Sequence, residues 1–252
     1  MEVADIALLA IAGLAAGTVN AIAGGGSLIT FPALLATGLP PVAANVTNTT
    51  SVFPGYLSSV YGSRADLDRR HLPRLIPTAV VAAILGCALL LLTPAKAFDY
   101  VVPFLVLGAA AVLAFQDRLR RLVGHPRTLS PRRRVLGLHL VVFVGSLYGG
   151  YFGAALGVML VAALGLVLDE SMARVSALKN VISAVGGLVG VLVFALFGPI
   201  DWADVLVTAP AALIGGYVGA RVARRLPSVV LKTVIVVFGT VVGLVLLYRA
   251  FT

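Results

Sequence analysis

The residues of this 252-residue chain with most chemical potential are polar ones set in apolar surroundings. Asn45-Val-Thr-Asn-Thr-Thr-Ser51 places six polar residues in seven within a stretch otherwise built from Val, Ala, Phe, Leu and Tyr. A second run, Arg174-Val-Ser-Ala-Leu-Lys-Asn-Val-Ile-Ser183, carries the one lysine expected at membrane depth, Lys179, with Asn180 beside it and Ser183 one helical turn on. An ammonium near amide and hydroxyl donors, with no carboxylate at the same depth, is suited to holding an anion. Gly24-Gly-Gly-Ser27 adds a helix break, because glycine unwinds a helix at little cost. The helix that resumes near Ser27 turns free backbone N–H groups and a positive dipole end toward whatever lies in front of it. Gly153 and Gly157 form a counterpart break in the second half. Each feature also has a purely structural reading. The Asn/Thr/Ser run can be hydrogen bonding between helices, Lys179 can snorkel to an interface, and the glycines can serve hinges or close packing.

Other chemistries are excluded by what the chain lacks. All ten acids (Glu2, Asp5, Asp66, Asp68, Asp99, Asp117, Asp169, Glu170, Asp201 and Asp204) fall at segment ends or in loops. A mid-membrane carboxylate for a proton relay or a cation site is therefore missing. Asp169 and Glu170 are the acids nearest the second polar run. Cys87 is the single cysteine, so no disulfide or paired-thiol relay can form within the chain. His71, His125 and His139 lie far apart without Cys or carboxylate neighbours at ligand spacing, and no metal or cofactor is expected. No acid, His or Cys nucleophile set gathers at depth, so an enzyme is not expected. Two Asn-x-Thr sequons, starting at Asn45 and Asn48, fall inside a membrane segment, where glycosylation does not reach.

These residues must be positioned by membrane helices. Hydrophobic residues make up 60% of the chain and charged ones 12%, with a mean hydropathy of +1.06. A water-soluble domain does not have that balance. Ten spans of roughly 20 residues would use about 200 positions and leave only connections. Apolar runs are read at 3–22, 27–38, 41–62, 74–93 and 100–116, and again at 135–153, 156–168, 172–197, 203–220 and 229–248. The opening Met1-Glu-Val-Ala-Asp5 is acidic where a signal peptide would be basic, so the first run is expected to be retained as a membrane segment. Segments 27–38 and 156–168 are short. A dozen helical residues reach about 18 Å against a hydrocarbon core of about 30 Å, which predicts half-helices or re-entrant hairpins.

The two series align at one offset: Gly13, Gly17, Gly25, Asn48, Ser51 and Gly55 stand opposite Gly145, Gly149, Gly157, Asn180, Ser183 and Gly187. One residue further in offset, Pro77, Gly86 and Pro94 face Pro210, Gly219 and Pro227. Charge sets the sides. The loop 117–134 holds Arg118, Arg120, Arg121, Arg127, Arg132, Arg133 and Arg134 against Asp117. Arg64, Arg69, Arg70 and Arg74 outnumber Asp66 and Asp68, and both loops are read as cytoplasmic. The repeat-equivalent loop around Asp201 and Asp204 has no basic residue and is read as external, while Arg221, Arg224 and Arg225 return inside. Most of the +9 net charge is thus topological and points to no nucleic acid. The predicted fold is all-α and polytopic: one transmembrane domain (1–252) of two inverted-topology repeats, 3–116 and 135–250, about a basic cytoplasmic loop 117–134. Both termini are expected outside, with Arg249 fitting that placement poorly. Gly13/Gly17, Gly145/Gly149, Gly215/Gly219 and Gly239/Gly243 read as helix packing.

Gly17-Thr-Val-Asn-Ala-Ile-Ala-Gly-Gly-Gly-Ser-Leu-Ile-Thr-Phe-Pro32 with Ala44-Asn-Val-Thr-Asn48, and Gly150-Tyr-Phe-Gly-Ala-Ala-Leu-Gly157 with Ala177-Leu-Lys-Asn180, resemble the two copies of the TauE/SafE family of membrane permeases. The resemblance covers nearly the whole chain. It implies a bacterial inner-membrane protein that moves small anions such as sulfite, sulfonates and related organosulfur compounds, and it marks Asn20, Gly24, Gly25, Gly26, Asn48 and Asn180. The expected function is export or exchange of such an anion by alternating access. Its site would comprise Asn20, Gly24, Gly25, Gly26, Ser27, Asn45, Asn48, Ser51, Gly157, Lys179, Asn180 and Ser183. The asparagines Asn48 and Asn180 are expected to face each other across the pseudo-two-fold axis, and Lys179→Ala is expected to abolish flux. The partners are the anion and membrane lipid; homo-oligomerisation is left open. The alternative is a non-transporting membrane scaffold or assembly factor, in which the polar runs only hold helices together.

Overall fold

Proline and serine caps set where the helices begin, and glycine sets where they break. The computed structural model describes residues 2–22, 25–115, 117–118, 130–222 and 228–251, with all side chains among them except those of residues 21–22, 131, 218–222, 228–232 and 234. Gly24, His125, Arg120, Arg121, Arg127, Arg224 and Arg225 lie outside the described residues. Among those described there are ten α-helices: α1 (Val3–Ile22), α2 (Ser27–Ala36), α3 (Pro41–Gly62), α4 (Leu72–Leu92), α5 (Ala95–Ala114), α6 (Pro131–Tyr151), α7 (Leu156–Val167), α8 (Met172–Phe197), α9 (Trp202–Val222) and α10 (Ser228–Phe251). The chain is an all-helical, multi-pass membrane protein.

Most boundaries fall where the apolar runs place them, and the exceptions have local causes. α5 starts at Ala95, ahead of the predicted 100, because Pro94 precedes its first turn and Lys96 and Asp99 are accommodated there. α6 starts at Pro131 rather than 135, with proline at the first helical position and the Ser130 hydroxyl accepting from the Arg133 amide at 3.5 Å. Among the described residues, five helices (α1, α4, α5, α6 and α8) are long and apolar enough to cross a membrane. α3 has the length, at 22 residues, but its polar run lowers its hydropathy. α2 and α7, at 10 and 12 residues, reach only about 15 and 18 Å. Both are largely buried in protein, as partial spans must be.

Packing partners keep their pattern when the two halves are exchanged. α1 packs on α9 as α6 packs on α4; α3 packs on α9 as α8 packs on α4; α3 pairs with α8, and α5 with α10. Small residues make the two closest pairings. A side-chain carbon at Gly17 would overlap the carbonyl of Ala212 on α9, and one at Gly215 the carbonyl of Leu14 on α1. The same applies between Gly86 of α4 and Leu147 of α6, and between Gly150 and Ala83. In a bilayer such close backbone approach supplies van der Waals contact and, here, a polar bond: the Thr18 hydroxyl donates across the seam to the Gly215 carbonyl at 3.1 Å. Gly239 and Gly243 meet Ala110 and Leu107 of α5, whereas Gly145 and Gly149 meet Leu160 and Leu156 of α7.

Candidate functional site

At the first break the chain leaves α1 and re-enters a helix at Ser27. Gly25 has φ +116°, a conformation that L side chains rarely adopt. Asn20 of α1 closes this turn: its Oδ1 accepts from the amides of Gly25 at 3.2 Å and Gly26 at 2.8 Å. A Cβ at Gly26 would overlap Ala16 O and approach Asn20 Nδ2. Gly25 and Gly26 are expected from the sequence at the anion site, just ahead of the helix that resumes near Ser27. The Gly25 and Gly26 amides are instead committed to Asn20, because a buried break leaves donors that must be paired. The dipole of α2 still points its positive end out past Ser27.

The second break uses different residues for the same purpose. The amides of Phe152 and Gly153 donate to the Tyr148 carbonyl at 2.8 and 3.0 Å, and the Tyr148 hydroxyl donates to the Ala154 carbonyl at 2.8 Å. Gly153 and Ala155 have φ values of +73° and +55°. Ala155 is therefore a non-glycine residue in the left-handed region, directly before the start of α7. The two breaks touch through aromatic rings. Phe31 of α2 lies edge-on to Phe152 with centroids 5.3 Å apart, and Phe98 of α5 packs beside Phe152 at 6.4 Å.

The polar run of α3 is mostly spent on tying elements together. Asn45 Nδ2 donates to the Tyr151 carbonyl at 2.8 Å, the Asp201 amide donates to Thr47 Oγ1 at 3.0 Å, and Thr30 of α2 donates a short bond to Asn48 Oδ1. Asn45 Oδ1 and Ser51 Oγ are buried without a partner. Asn180 of α8 binds the far end of α3, donating to Ser59 O at 3.2 Å and Ser63 Oγ at 2.9 Å. Asn48 and Asn180 therefore do not face each other. α3 and α8 run antiparallel, with Thr49 against Gly190, Phe53 and Tyr56 against Gly187, and Asn180 at Ser59. The ten residues from Gly190 back to Asn180 span roughly 15 Å. In an antiparallel pair, matching positions of two copies fall at opposite ends.

The structure does bring Ser27 and Ser183 together. Both line a small cavity between the two breaks, with Thr49 and Tyr56 of α3, Ser146 of α6 and Gly153. Its volume of ≈ 20 Å³ is room for about one water. α2 and α7 both begin at this cavity, at Ser27 and Leu156, so two positive helix ends converge on it. Among the described residues no charged side chain lines it. Lys179 is half-buried one turn before Ser183 and is not on the wall, and Gly157 sits just beyond Leu156 and does not line the cavity either. Asn20, Gly25, Gly26, Asn45 and Asn48 do not line the cavity, and Asn180, less than a turn before Ser183, is bonded to Ser59 and Ser63 at the end of α3 and does not line it either.

Two residues escaped the sequence reading. Ser146 is 2% exposed, its Oγ has no partner, and it lines the cavity. The available signal was a hydroxyl set among packing glycines, Gly145 and Gly149-Gly150. Asp204 is in the first turn of α9 yet only 3% exposed; it accepts from the Thr37 hydroxyl at 3.3 Å, and its amide donates to Asp201 Oδ1 at 3.1 Å. Its position at a segment end had marked it as a loop acid. Among the described residues no group of His, Cys, Asp and Glu could hold a metal ion.

Among the described residues, ten helices, five of them long and apolar enough to cross a membrane and two of half length packed around a small hydroxyl-bearing cavity at paired breaks, are the plan of a multi-pass membrane protein. The chain belongs to the family described as sulfite exporter TauE/SafE, whose model matches residues 9–246. A probable membrane transporter protein of Haemophilus influenzae is 28% identical over 234 residues, covering 92% of this chain and 90% of that protein. The probable membrane transporter protein YfcA of Escherichia coli K12 is 28% identical over 242 residues, covering 92% and 86%. The probable membrane transporter protein ORF9 of a Sinorhizobium species is 28% identical over 251 residues, covering 96% and 92%. No solved structure matches the chain.

Proposed function

We propose that this membrane transporter exports or exchanges small anions, with sulfite, sulfonates and related organosulfur anions as the substrate class. The observation that carries the reading is the cavity between the breaks, where hydroxyls of Ser27 and Ser183 meet the positive ends of α2 and α7 and, among the described residues, no carboxylate lines the wall to repel an anion. The family description names sulfite export, which supports the same class. The domain is read as two inverted five-helix repeats, supported by helix pairings that survive exchange of the halves. The family resemblance supports a bacterial inner membrane, and the arginine-rich loops support an orientation with both termini outside. Alternating access is the mode of passage we favour, and cavity size supports it in part: space for about one water does not pass an oxyanion, so the walls would have to part.

Counterflow in proteoliposomes tests this. Vesicles preloaded with unlabelled sulfite or a short sulfonate should take up the labelled anion faster than vesicles without protein. A scaffold gives no exchange with any anion, and uptake of labelled Na⁺ or a divalent metal in its place overturns the anion reading.

A further inference from the structure

The cavity's polar lining is all hydroxyl among the described residues: Ser27, Thr49, Tyr56, Ser146 and Ser183. Ser146 is the telling member, because its Oγ is buried with no protein partner in a cavity able to hold a water or one substrate oxygen. A buried hydroxyl left unpaired is costly, so a ligand that satisfies it binds more tightly. The positive charge available comes from two helix N-termini of roughly half an elementary charge each, or about one in total. A doubly charged oxyanion would carry roughly four times the Born cost of a singly charged one into this low-dielectric setting, with no added cation to meet it. Hydroxyls also both donate and accept, so they can bind the protonated oxygen of an acid anion as well as its bare oxygens.

We propose that the cavity takes its oxyanion in singly charged form, so that a weak-acid substrate such as sulfite crosses as its protonated monoanion and carries its own proton. Ser146 is one of the hydroxyls that hold it. The inference rests on the anion-permease reading above. It would move a proton without a titrating relay in the protein: the proton is taken up by sulfite on one side and released on the other as the monoanion re-ionises, and no bond within the chain changes.

The test compares initial rates of sulfite and methanesulfonate in proteoliposomes holding the full chain, between about pH 6 and about pH 9, after subtracting protein-free vesicles. Methanesulfonate is singly charged throughout, whereas sulfite loses its remaining proton within the range. At fixed, subsaturating total concentration the sulfite rate should fall toward tenfold per pH unit above sulfite's second ionisation, while the methanesulfonate rate stays level. Ser146→Ala should raise KM for both anions roughly tenfold and leave the shape of the sulfite profile unchanged. Parallel falls in both rates would place the titration on the protein and overturn the proposal. A sulfite rate that holds or rises with pH makes the dianion the cargo and overturns it, as does movement of sulfite without methanesulfonate, or an unchanged KM in Ser146→Ala. No flux of either anion overturns the permease reading and this inference with it.

Discussion

At Ser146 folding and binding can be pulled apart. Its hydroxyl is buried and unpartnered, so alanine removes an unsatisfied polar group, and Ser146→Ala should hold or raise thermal stability in detergent, by up to about 1 kcal/mol, even as anion affinity falls. A large loss of stability would mean that the hydroxyl has a structural partner. Lys179 gives the opposite contrast. Sequence alone made it the anchor of the site, but it lies a turn off the cavity wall, so Lys179→Ala should keep anion affinity within about threefold. A loss of more than tenfold in direct binding would return it to the site. Ser27 and Ser183 were legible because a hydroxyl at a helix break and another in an apolar helix both stand out from their neighbours. Ser146 was not, since its surroundings in sequence are glycines whose packing role explains them fully. Asn48 and Asn180 were legible as a pair and misplaced as neighbours, because sequence offset reports equivalence of position and says nothing about which end of an antiparallel pair each residue occupies.

Among the elements, the half-helices and their breaks carry the most local strain. Ala155 holds a left-handed conformation that costs about 1–2 kcal/mol in a non-glycine residue, so Ala155→Gly should stabilise the fold by about 1 kcal/mol in chemical or thermal unfolding. An equal or lower stability would show that the alanine methyl, in its 1% exposed setting, contributes packing that outweighs the strain. The glycine seams predict the reverse. Gly86→Val forces a branched side chain onto the Leu147 carbonyl and should destabilise the α4 and α6 pair by about 1–3 kcal/mol or more, read as a lowered melting temperature or loss of monodisperse protein. The short spans at 27–38 and 156–168 were legible from length alone. The capping of the breaks was not, because Asn20 acts on amides five and six residues away while Tyr148 reaches Ala154 through its ring, and the two share no sequence pattern.

For the whole molecule, orientation is the quantity to measure. Under the proposed topology a cysteine replacing Arg69 is cytoplasmic and one replacing Pro199 is external. A membrane-impermeant maleimide added to intact cells should therefore label Pro199→Cys and spare Arg69→Cys until the membrane is opened. Labelling of both from one side would overturn the inverted arrangement. The native background is low, because Cys87 is 0% exposed within α4. The order of the helices among the described residues and the two breaks could be anticipated from hydropathy and glycine spacing. Which helices pair could not, since α1 meets α9 across most of the chain and α4 meets α6 across the intervening α5 and the basic loop. The edge-on contact of Phe31 with Phe152 has a mechanical meaning at this scale. One ring rides on α2 and the other on the turn that leads into α7, so neither half-helix can swing far without pushing its counterpart. Under the proposed alternating-access cycle this contact would gear the two half-helices together, and a passage open at both ends would require that gear to disengage.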